Sequence, residues 1–421
     1  MRDVPALRSV EEQLGDVLAA VRPLAEETLE LTQASGRTLR RAVTAAVDLP
    51  RFDNSAMDGF AVRFDDVREA SATAPAILTV VADLPAGTSE DPSLRPGQAA
   101  RIMTGAPVPA DADAIVPFEQ TTGGLADSLG QARVVAAPAG PGAHIRRRGE
   151  DLVIGDIVVA PGELLGAYAL SAAAAAGVAE VVVSTRPRVT VISTGDELVP
   201  TGRPLRYGQI PESNSHLLAE LVRETGGTVV VRETVDDEGT ALERLLVAVT
   251  DPGHPDHSDV VILSGGVSAG AYEVVRTTLS DRMRFTKVAM QPGKPQGFGV
   301  IEAGDARTLA FGLPGNPVSV AVSFEVFVRP ALLALQGRTE RFRPRLMLPA
   351  ATSWRTPPGR RQYLPARIDR TDPARWTVGP ATSGGSGSHL AGGLARAEVI
   401  AVVPAETEAV TAGDLVEVML R

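Results

Sequence analysis

The sequence predicts a multidomain α/β protein. Its 421 residues exceed what one hydrophobic core normally supports, so two to four domains are expected. The central part alternates short apolar strands with helices, which is typical of a parallel sheet covered on both faces. Short strands separated by glycine and proline lie before and after this part, and they predict smaller, mostly-β regions.

The N-terminal part is predicted to begin with helices. Ser9 followed by Glu12 is a capping-box pattern, and apolar residues at helical spacing continue to Val21. Residues 35–43 predict a second short helix. Residues 163–176 predict an alanine-rich helix that ends near a glycine.

Between these helices the pattern changes to short β runs, which cover residues 77–82, 114–119 and 132–136. Because helices are predicted on both sides, we expect the β segment to be inserted into a helical first domain. The expected boundaries are residues 1–44 and 147–180 for a helical linker domain and residues 45–146 for the inserted mostly-β domain.

Residues 181–335 are predicted to form the α/β domain. Its strands are expected at 189–193, 229–231, 260–263 and 308–311, and its helices at 215–225, 239–249, 272–279 and 318–335. Ligands of such sheets bind at the carboxyl ends of the strands, where the loops STGDEL, TVDDEG, SGGVSAG and LPGNPVS are placed. Residues 336–421 predict short strands with Gly/Pro turns, in a small barrel or sandwich.

Composition excludes several classes of function. The net charge of −10 argues against non-specific binding to nucleic acid or anionic membrane. The absence of cysteine excludes disulfides, thiolate zinc sites, iron–sulfur clusters and a cysteine nucleophile. We see no apolar secretory segment at the N-terminus, and the most apolar run, residues 164–179, is too short to span a membrane. A cytoplasmic protein is therefore expected.

The rarest residues point to particular loops. The chain has only two lysines, Lys287 and Lys294, and only three asparagines, Asn54, Asn214 and Asn316. In an arginine-rich composition, a surviving lysine suggests a position that needs a compact point charge. The alternative for each asparagine is a structural one, because asparagine tolerates turns and caps helices.

Two loops have the composition of anion sites. SGGVSAG starts at Ser264, and its glycines would let backbone N–H groups approach a phosphate at a helix N-terminus. It matches neither the dinucleotide-binding nor the P-loop motif, and a purely structural glycine turn is the alternative. LPGNPVS places Asn316 at an N-cap and Pro317 at the first helical position. A well-capped helix without a ligand would explain that loop equally well.

Carboxylates near strand ends could hold a hard cation such as Mg²⁺ beside a phosphate. The candidates are Asp58, Asp151, Asp196, Glu197, Asp236, Asp237 and Glu273. The alternative is the ordinary enrichment of acidic residues at helix N-termini. His254 and His257 lie in a Pro/Gly loop, DPGHPDHSD, which we interpret as solvated rather than metal-binding.

Seven motifs occur in order along the chain: FDNSAMDGFAV, MTGAPVP, RRRGED, STGDEL, SGGVSAG, QPGKP and GLPGNPVS. Together they resemble the molybdopterin molybdenumtransferases, the family of bacterial MoeA and of the C-terminal domain of gephyrin. The resemblance covers nearly the whole chain, including a terminal GSGSH…GDLVEV segment. It implies an elongated, four-domain homodimer with a dimerising linker domain, a molybdopterin-binding α/β domain and a C-terminal β-barrel. The active site would lie between the α/β domain of one subunit and the β domains of the other.

The implied reaction inserts molybdate into adenylylated molybdopterin with release of AMP, and Mg²⁺ is the implied cation. The resemblance assigns catalytic roles to Asp58, Glu197, Asp236, Glu273 and Lys294, and metal ligation to Asp151, Glu197, Asp236 and Glu273. Together with the loops, it assigns substrate and cofactor binding to Thr104, Thr194, Gly195, Ser264, Gly265, Gly266, Ser268, Pro314, Gly315, Asn316, Ser319, Arg360, Arg361 and Ser388, with His389 beside them.

The chain departs from the family pattern at three places. Glu273 stands where the family usually has Asp, and Arg276 stands where Lys is frequent. LAGGLARAEV replaces a more serine-rich stretch followed by Asn.

Two other functions compete with the transferase. Adenylylation of molybdopterin is carried out by stand-alone relatives of the α/β domain, which lack the FDNSAMDG unit and the barrel. A gephyrin-like scaffold dimer that binds a partner peptide is the third hypothesis. Release of AMP from adenylylated molybdopterin would separate the three.

Overall fold

The computed structural model describes residues 7–126, 128–267, 274–382 and 390–421. Its centre is a six-stranded sheet in the α/β part of the chain. The strands lie in the order Thr228–Val235, Arg188–Thr194, Val260–Ser264, Ala306–Leu313, Pro295–Ala303 and Met283–Lys287.

The prediction of a parallel sheet is right for four strands and wrong at one edge. The first four strands pair in parallel, whereas the last two are antiparallel. A tight turn at Gly304 (φ +61°) joins the two strands Pro295–Ala303 and Ala306–Leu313, and so short a connection requires antiparallel pairing. Gly299 lets the edge strand approach closely, because a Cβ there would lie 2.2 Å from the Arg282 carbonyl oxygen.

Helices cover both faces of this sheet, as predicted. The described ones are Asn214–Glu224, Thr240–Thr250, Val274–Leu279 and the long helix Pro317–Leu335, which contains a π-helical segment, Phe324–Val328. Two separate apolar cores lie on the two faces. The long helix is apolar and long enough to cross a membrane, but 89% of it is buried inside the protein, as is typical of a core helix.

The first helix, Val10–Ala20, begins with the predicted capping box: the Glu12 N–H donates to Ser9 Oγ, and Glu12 accepts from the Ser9 N–H. This helix packs against the α/β sheet, because Val10 and Val17 are buried in one of the two apolar cores of that sheet.

The linker region contains more strand than predicted. Strand Glu26–Glu30 pairs with Glu180–Ser184, Val43–Thr44 pairs with Ile157–Val159, and the described helix is Ala167–Ala175. The helix predicted over 35–43 is wrong. Backbone N–H groups of that segment donate to distant carbonyls instead, for example Leu39 to Glu163, so long-range pairing replaces local helical bonds.

The part of the chain between the two linker segments is mostly β. Its sheet has the order Ala114–Pro117, Gly59–Val62, Gln98–Ile102, Ala76–Leu84, Gln131–Val134 and Thr121–Thr122. Apolar side chains are buried on both of its faces. A small pair, Asn54–Ser55 with Ile145–Arg146, joins the FDNSAMDG and RRRGED motifs.

The C-terminal part forms a nearly closed, barrel-like sheet. Its strands lie in the order Met290–Gln291, Arg361–Asp369, Val399–Val403, Leu415–Leu420 and Arg345–Pro349, with Thr377–Pro380 beside the second. A bridge between Ala350 and Val378 brings the two ends of the sheet together. The short strand Met290–Gln291 comes from the α/β part and pairs with Arg361 and Gln362, which links the barrel to the QPGKP loop.

The remaining short pairs are Leu198–Val199 with Ile210–Pro211 and Trp354–Arg355 with Ala409–Val410. The altered LAGGLARAEV stretch contains a 3₁₀ helix, Ala391–Arg396.

Candidate functional site

A cavity of about 960 Å³ lies at the carboxyl ends of the parallel strands. Its walls come from the predicted strand-end loops, the QPGKP loop and the start of the C-terminal barrel. The predicted site residues that line it are Thr194, Gly195, Glu197, Ser264, Gly265, Gly266, Lys294, Pro314, Gly315, Asn316, Ser319 and Arg360. Residues that are distant in sequence therefore meet at the edge where a doubly wound sheet binds its ligands.

Other predicted residues do not line this cavity. Asp58 and Thr104 lie in the inserted β region, and Asp151 lies in an exposed turn beside it. Arg361 forms an ion pair with Glu11 of the first helix rather than facing the cavity. The predicted residues Ser268, Glu273, Ser388 and His389 lie outside the described part of the chain.

The two glycines after Ser264 are required by the backbone. Gly265 has φ +94°, and a Cβ on it would lie 2.6 Å from the Thr194 carbonyl oxygen. Gly266 has φ +61°, and its Cβ would lie 2.9 Å from the Val275 nitrogen. The structural explanation of these glycines is thus sufficient, and they also keep backbone exposed in the cavity wall.

The long helix points its N-terminus at the cavity. Asn316 occupies the N-cap position in extended conformation, and Pro317 is the first helical residue, as predicted. The Asn316 side chain makes no capping hydrogen bond to this helix. N–H groups at a helix start, together with the helix dipole, favour an anion.

Two cationic side chains lie in the same wall. Lys294 is half-buried between Gly293 and Pro295, and Arg360 donates from Nη1 to the Gln291 Oε1 atom at 2.6 Å. Arg360 reaches the cavity because the strand pairing of Met290 with Arg361 brings the barrel against the QPGKP loop. Both charges attract an anion.

Carboxylates supply the opposite charge. Asp196, Glu197 and Asp237 line the cavity. Asp236, which was predicted to do so, instead accepts a hydrogen bond from the Glu238 N–H at 3.2 Å and is exposed. Among the described residues, no group of three or more acidic or histidine side chains is close enough to hold a metal by itself. Mg²⁺ in proteins is usually held by one or two carboxylates together with water and substrate phosphate, and Asp196, Glu197 and Asp237 offer carboxylates of that kind.

A buried polar network in the cavity wall, centred on Glu212, was missed by sequence reasoning. Glu212 is 4% exposed, and it accepts hydrogen bonds from Ser193 Oγ at 2.8 Å, from the Ser215 N–H at 2.8 Å and from Ser215 Oγ at 2.6 Å. The adjacent Asn214 donates from Nδ2 to the Gly315 carbonyl oxygen at 2.6 Å. The rarity of asparagine marked this ESNSH segment, but no local pattern marked its glutamate.

Asp58 and Thr104, although far apart in sequence, form one unit. The Thr104 N–H donates to Asp58 Oδ1 at 2.6 Å, and the Thr104 hydroxyl donates to the same atom at 2.8 Å. The backbone N–H first, and the hydroxyl second, lower the pKa of the Asp58 carboxyl below its ordinary value. This exposed carboxylate therefore stays ionised.

His254 and His257 form no metal site with the described residues. Arg188 donates to the carbonyl oxygens of Pro255 and His257 and so holds their loop against the sheet.

Three family models match the chain in succession. Residues 8–177 match the MoeA N-terminal region (domain I and II), residues 190–334 match a probable molybdopterin binding domain, and residues 347–420 match the MoeA C-terminal region (domain IV).

Full-length relatives agree with these matches. The chain is 42% identical to molybdopterin molybdenumtransferase 2 of Mycobacterium tuberculosis, with 98% of this chain and 99% of the relative aligned. It is 34% identical to molybdopterin molybdenumtransferase 1 of the same species, with 98% of each covered. A crystal structure of the molybdopterin biosynthesis protein MoeA from Pyrococcus horikosii superimposes with a TM-score of 0.78 at 30% identity, covering 99% of both chains.

Proposed function

The chain belongs to the MoeA family of molybdopterin molybdenumtransferases, and on that premise we propose that its strand-end cavity inserts molybdate into adenylylated molybdopterin and releases AMP. The observation that supports this reaction is the composition of one cavity. Lys294, Arg360 and the start of the long helix offer positive charge and N–H donors, and carboxylates face the same space.

The basic and the acidic residues of the cavity would have different roles. Lys294 and Arg360 would bind the anionic groups of the two substrates, molybdate and the phosphates, and would offset negative charge that develops as the bond to AMP breaks. Glu197 and Asp237 would hold Mg²⁺. When bound, Mg²⁺ would neutralise phosphate oxygens. Gly265 and Gly266 would let the phosphates lie close to the backbone.

We also propose that the protein is a homodimer of four-domain subunits, each cavity being completed by the partner. Asp58 and Thr104 are not among the residues that line the cavity of their own chain, although the family motifs assign them to the site. Large apolar side chains are exposed on the linker region: Val153, Ile154, Ile157, Leu164 and Tyr168. An exposed apolar patch of this kind is typical of a protein–protein interface. A cytoplasmic location is part of the same proposal.

Purified protein should release AMP when it is given adenylylated molybdopterin, molybdate and Mg²⁺. Release should stop when Mg²⁺ is chelated or when molybdate is omitted, and chromatography of the nucleotide measures it directly.

The competing functions predict different products. An adenylyltransferase would consume ATP and molybdopterin and release pyrophosphate. A scaffold would bind a peptide without releasing any nucleotide. Either result, in the absence of molybdate-dependent AMP release, would contradict the proposal.

A further inference from the structure

A buried carboxylate that the proposed reaction does not use lies in the wall of the cavity. Glu212 is 4% exposed and is surrounded by donors from Ser193 and Ser215. A buried carboxylate is tolerated only when donors satisfy it, so its three hydrogen bonds explain how it can remain there. They also determine which way neighbouring hydroxyl groups point.

The hydrogen-bond direction follows from counting protons. A serine hydroxyl has one proton and two lone pairs, and Ser193 donates its proton to Glu212 Oε1. The Ser193 and Ser264 oxygen atoms are 3.2 Å apart, so Ser193 can only accept in that contact. Ser264 must therefore donate to Ser193. Ser264, which is among the residues that line the cavity, therefore keeps only lone pairs for a further partner.

A second residue that lines the cavity, Asn214, also has a hydrogen-bond acceptor available, for an independent reason. The Gly315 carbonyl oxygen can only accept, so the atom of Asn214 that meets it at 2.6 Å must be the amide nitrogen. The amide oxygen of Asn214 then points away from Gly315. Asn214 is 8% exposed, and its amide oxygen is buried and accepts no hydrogen bond from the described residues. A buried acceptor without a donor is costly, and a ligand donor would remove that cost.

We propose that Ser264 and Asn214 form an acceptor wall that binds hydrogen-bond donors of the substrate, and that Glu212 and Ser193 are positioning residues that set its polarity. The inference deepens the proposed function and rests on it. The substrate would lie with a donor-bearing ring or hydroxyl group toward Ser264 and Asn214. Its phosphates would lie toward Lys294, Arg360 and the helix start. The hydroxyl of Ser264 is then not a phosphate ligand, unlike the glycine N–H groups beside it.

The chain offers a matched pair of variants, because the hydroxyl groups of two serines donate to different oxygens of Glu212: Ser193 to Oε1 and Ser215 to Oε2. Ser193→Ala removes the acceptor of the Ser264 proton, which then turns into the cavity. Ser215→Ala removes the hydroxyl at the start of helix Asn214–Glu224 and leaves the Ser193–Ser264 contact in place. A merely structural role of Glu212 would make both variants behave alike.

Calorimetric titration with three probes tests the proposal: free pterin, adenosine and inorganic pyrophosphate. We expect Ser193→Ala to lower the affinity for pterin or for adenosine by about tenfold without weakening pyrophosphate binding, since the loss corresponds to about one hydrogen bond. The probe that is affected identifies the source of the donor. Ser215→Ala should bind all three probes as the parent does. Ser264→Ala serves as a second test of the acceptor, with the same expected loss of ring affinity.

Several results would overturn the acceptor wall. These are unchanged ring affinity in both Ser193→Ala and Ser264→Ala, a loss confined to pyrophosphate, equal losses in the Ser193 and Ser215 variants, or a parent that binds neither pterin nor adenosine. Release of AMP tests the proposed reaction separately from the acceptor wall. A parent with the expected probe pattern that releases no AMP would contradict the transferase reaction and leave the wall in place.

Discussion

At the scale of single residues, the position of each lysine in the chain decides whether its charge lies in the cavity wall. Lys294 lies in the wall, and its carbonyl oxygen accepts a hydrogen bond from the Val288 N–H at 2.8 Å, which ties the loop to the sheet edge. Lys287, seven residues earlier, ends the edge strand with an exposed side chain. The chain therefore supplies one lysine for the cavity and one for comparison.

We expect Lys294→Arg to reduce molybdate-dependent AMP release by about 10²-fold, although the charge is retained. A guanidinium is planar and forked, whereas the ammonium group is a compact point charge. Lys287→Arg is the control and should retain parental turnover. Near-parental activity in Lys294→Arg would show that charge alone is sufficient.

The neighbouring aspartates make a second comparison. We expect Asp237→Asn and Glu197→Gln to raise the Mg²⁺ concentration needed for half-maximal AMP release, because both side chains line the cavity. Asp236→Asn should change this concentration little, since Asp236 accepts from the Glu238 N–H outside the cavity. A Mg²⁺ titration of turnover measures all three. The assignment would be wrong if only the Asp236 variant responded.

The Asp58–Thr104 unit predicts a pH effect. Because the folded-state pKa of Asp58 is lowered, its hydrogen bonds stabilise the protein above the ordinary carboxyl pKa, and this contribution is lost as pH falls through the folded-state value. Thr104→Val removes the hydroxyl but keeps the backbone N–H. The pKa of Asp58 should rise partway toward its ordinary value.

Carboxyl titration by NMR measures this change directly, and Thr104→Ser, which keeps the hydroxyl, is the control. The stability difference between Thr104→Val and the parent should shrink from pH 7 toward pH 2. A difference that grows as pH falls would contradict the assigned interaction.

At the scale of elements, the long helix has two distinct ends. Its start contributes to the cavity, and its π-helical segment places Glu325 in the interior, with 2% of the side chain exposed. Arg343, from the segment that leads to the barrel, donates to both oxygens of Glu325 at 3.0 Å. Arg329 lies 3.8 Å from the same carboxylate. This ion-paired cluster ties the helix to the beginning of the barrel.

Glu325→Ala should lower the free energy of unfolding by about 3 kcal/mol, because it leaves largely buried guanidinium groups without their carboxylate. Glu220→Ala is the matched control. It breaks an exposed pair with Arg223 on another helix and should change stability by less than about 1 kcal/mol. Urea denaturation measures both variants. Similar effects of the two substitutions would mean that burial does not strengthen the Glu325 cluster.

At the scale of the whole molecule, the proposed active site requires more than one chain. The anion-binding groups lie in the strand-end cavity, whereas the Asp58–Thr104 unit lies in the inserted β region. Pairing of two chains through the linker region would let each chain supply its Asp58–Thr104 unit to the cavity of the other.

Sedimentation should therefore show a dimer, and Ile157→Glu should convert it to a monomer that has lost AMP release. Ile157 is 64% exposed in a single chain, so the change should not unfold the subunit. Leu415→Glu alters an equally exposed residue, 66%, on the barrel and should leave the dimer intact. A parent that sediments as a monomer with full activity would refute the shared site.

The sequence by itself determined the features that depend on local pattern. Apolar runs predicted the four parallel strands, the capping box predicted the start of the first helix, and Asn316 and Pro317 predicted the start of the long one. The order of motifs identified the family. Most residues predicted from the strand-end loops line one cavity because parallel strands bring their carboxyl ends to one edge.

Only the tertiary structure decided what depends on distant partners. The segment 35–43 is not helical because its backbone bonds to remote carbonyls, and the edge of the main sheet turns antiparallel at a tight turn. Arg360 and Asp237 line the cavity whereas their neighbours Arg361 and Asp236 do not, and no local pattern distinguishes the members of each pair. Glu212 could not be singled out from its own segment, since its donor Ser193, 19 residues away, meets it only after the chain has folded.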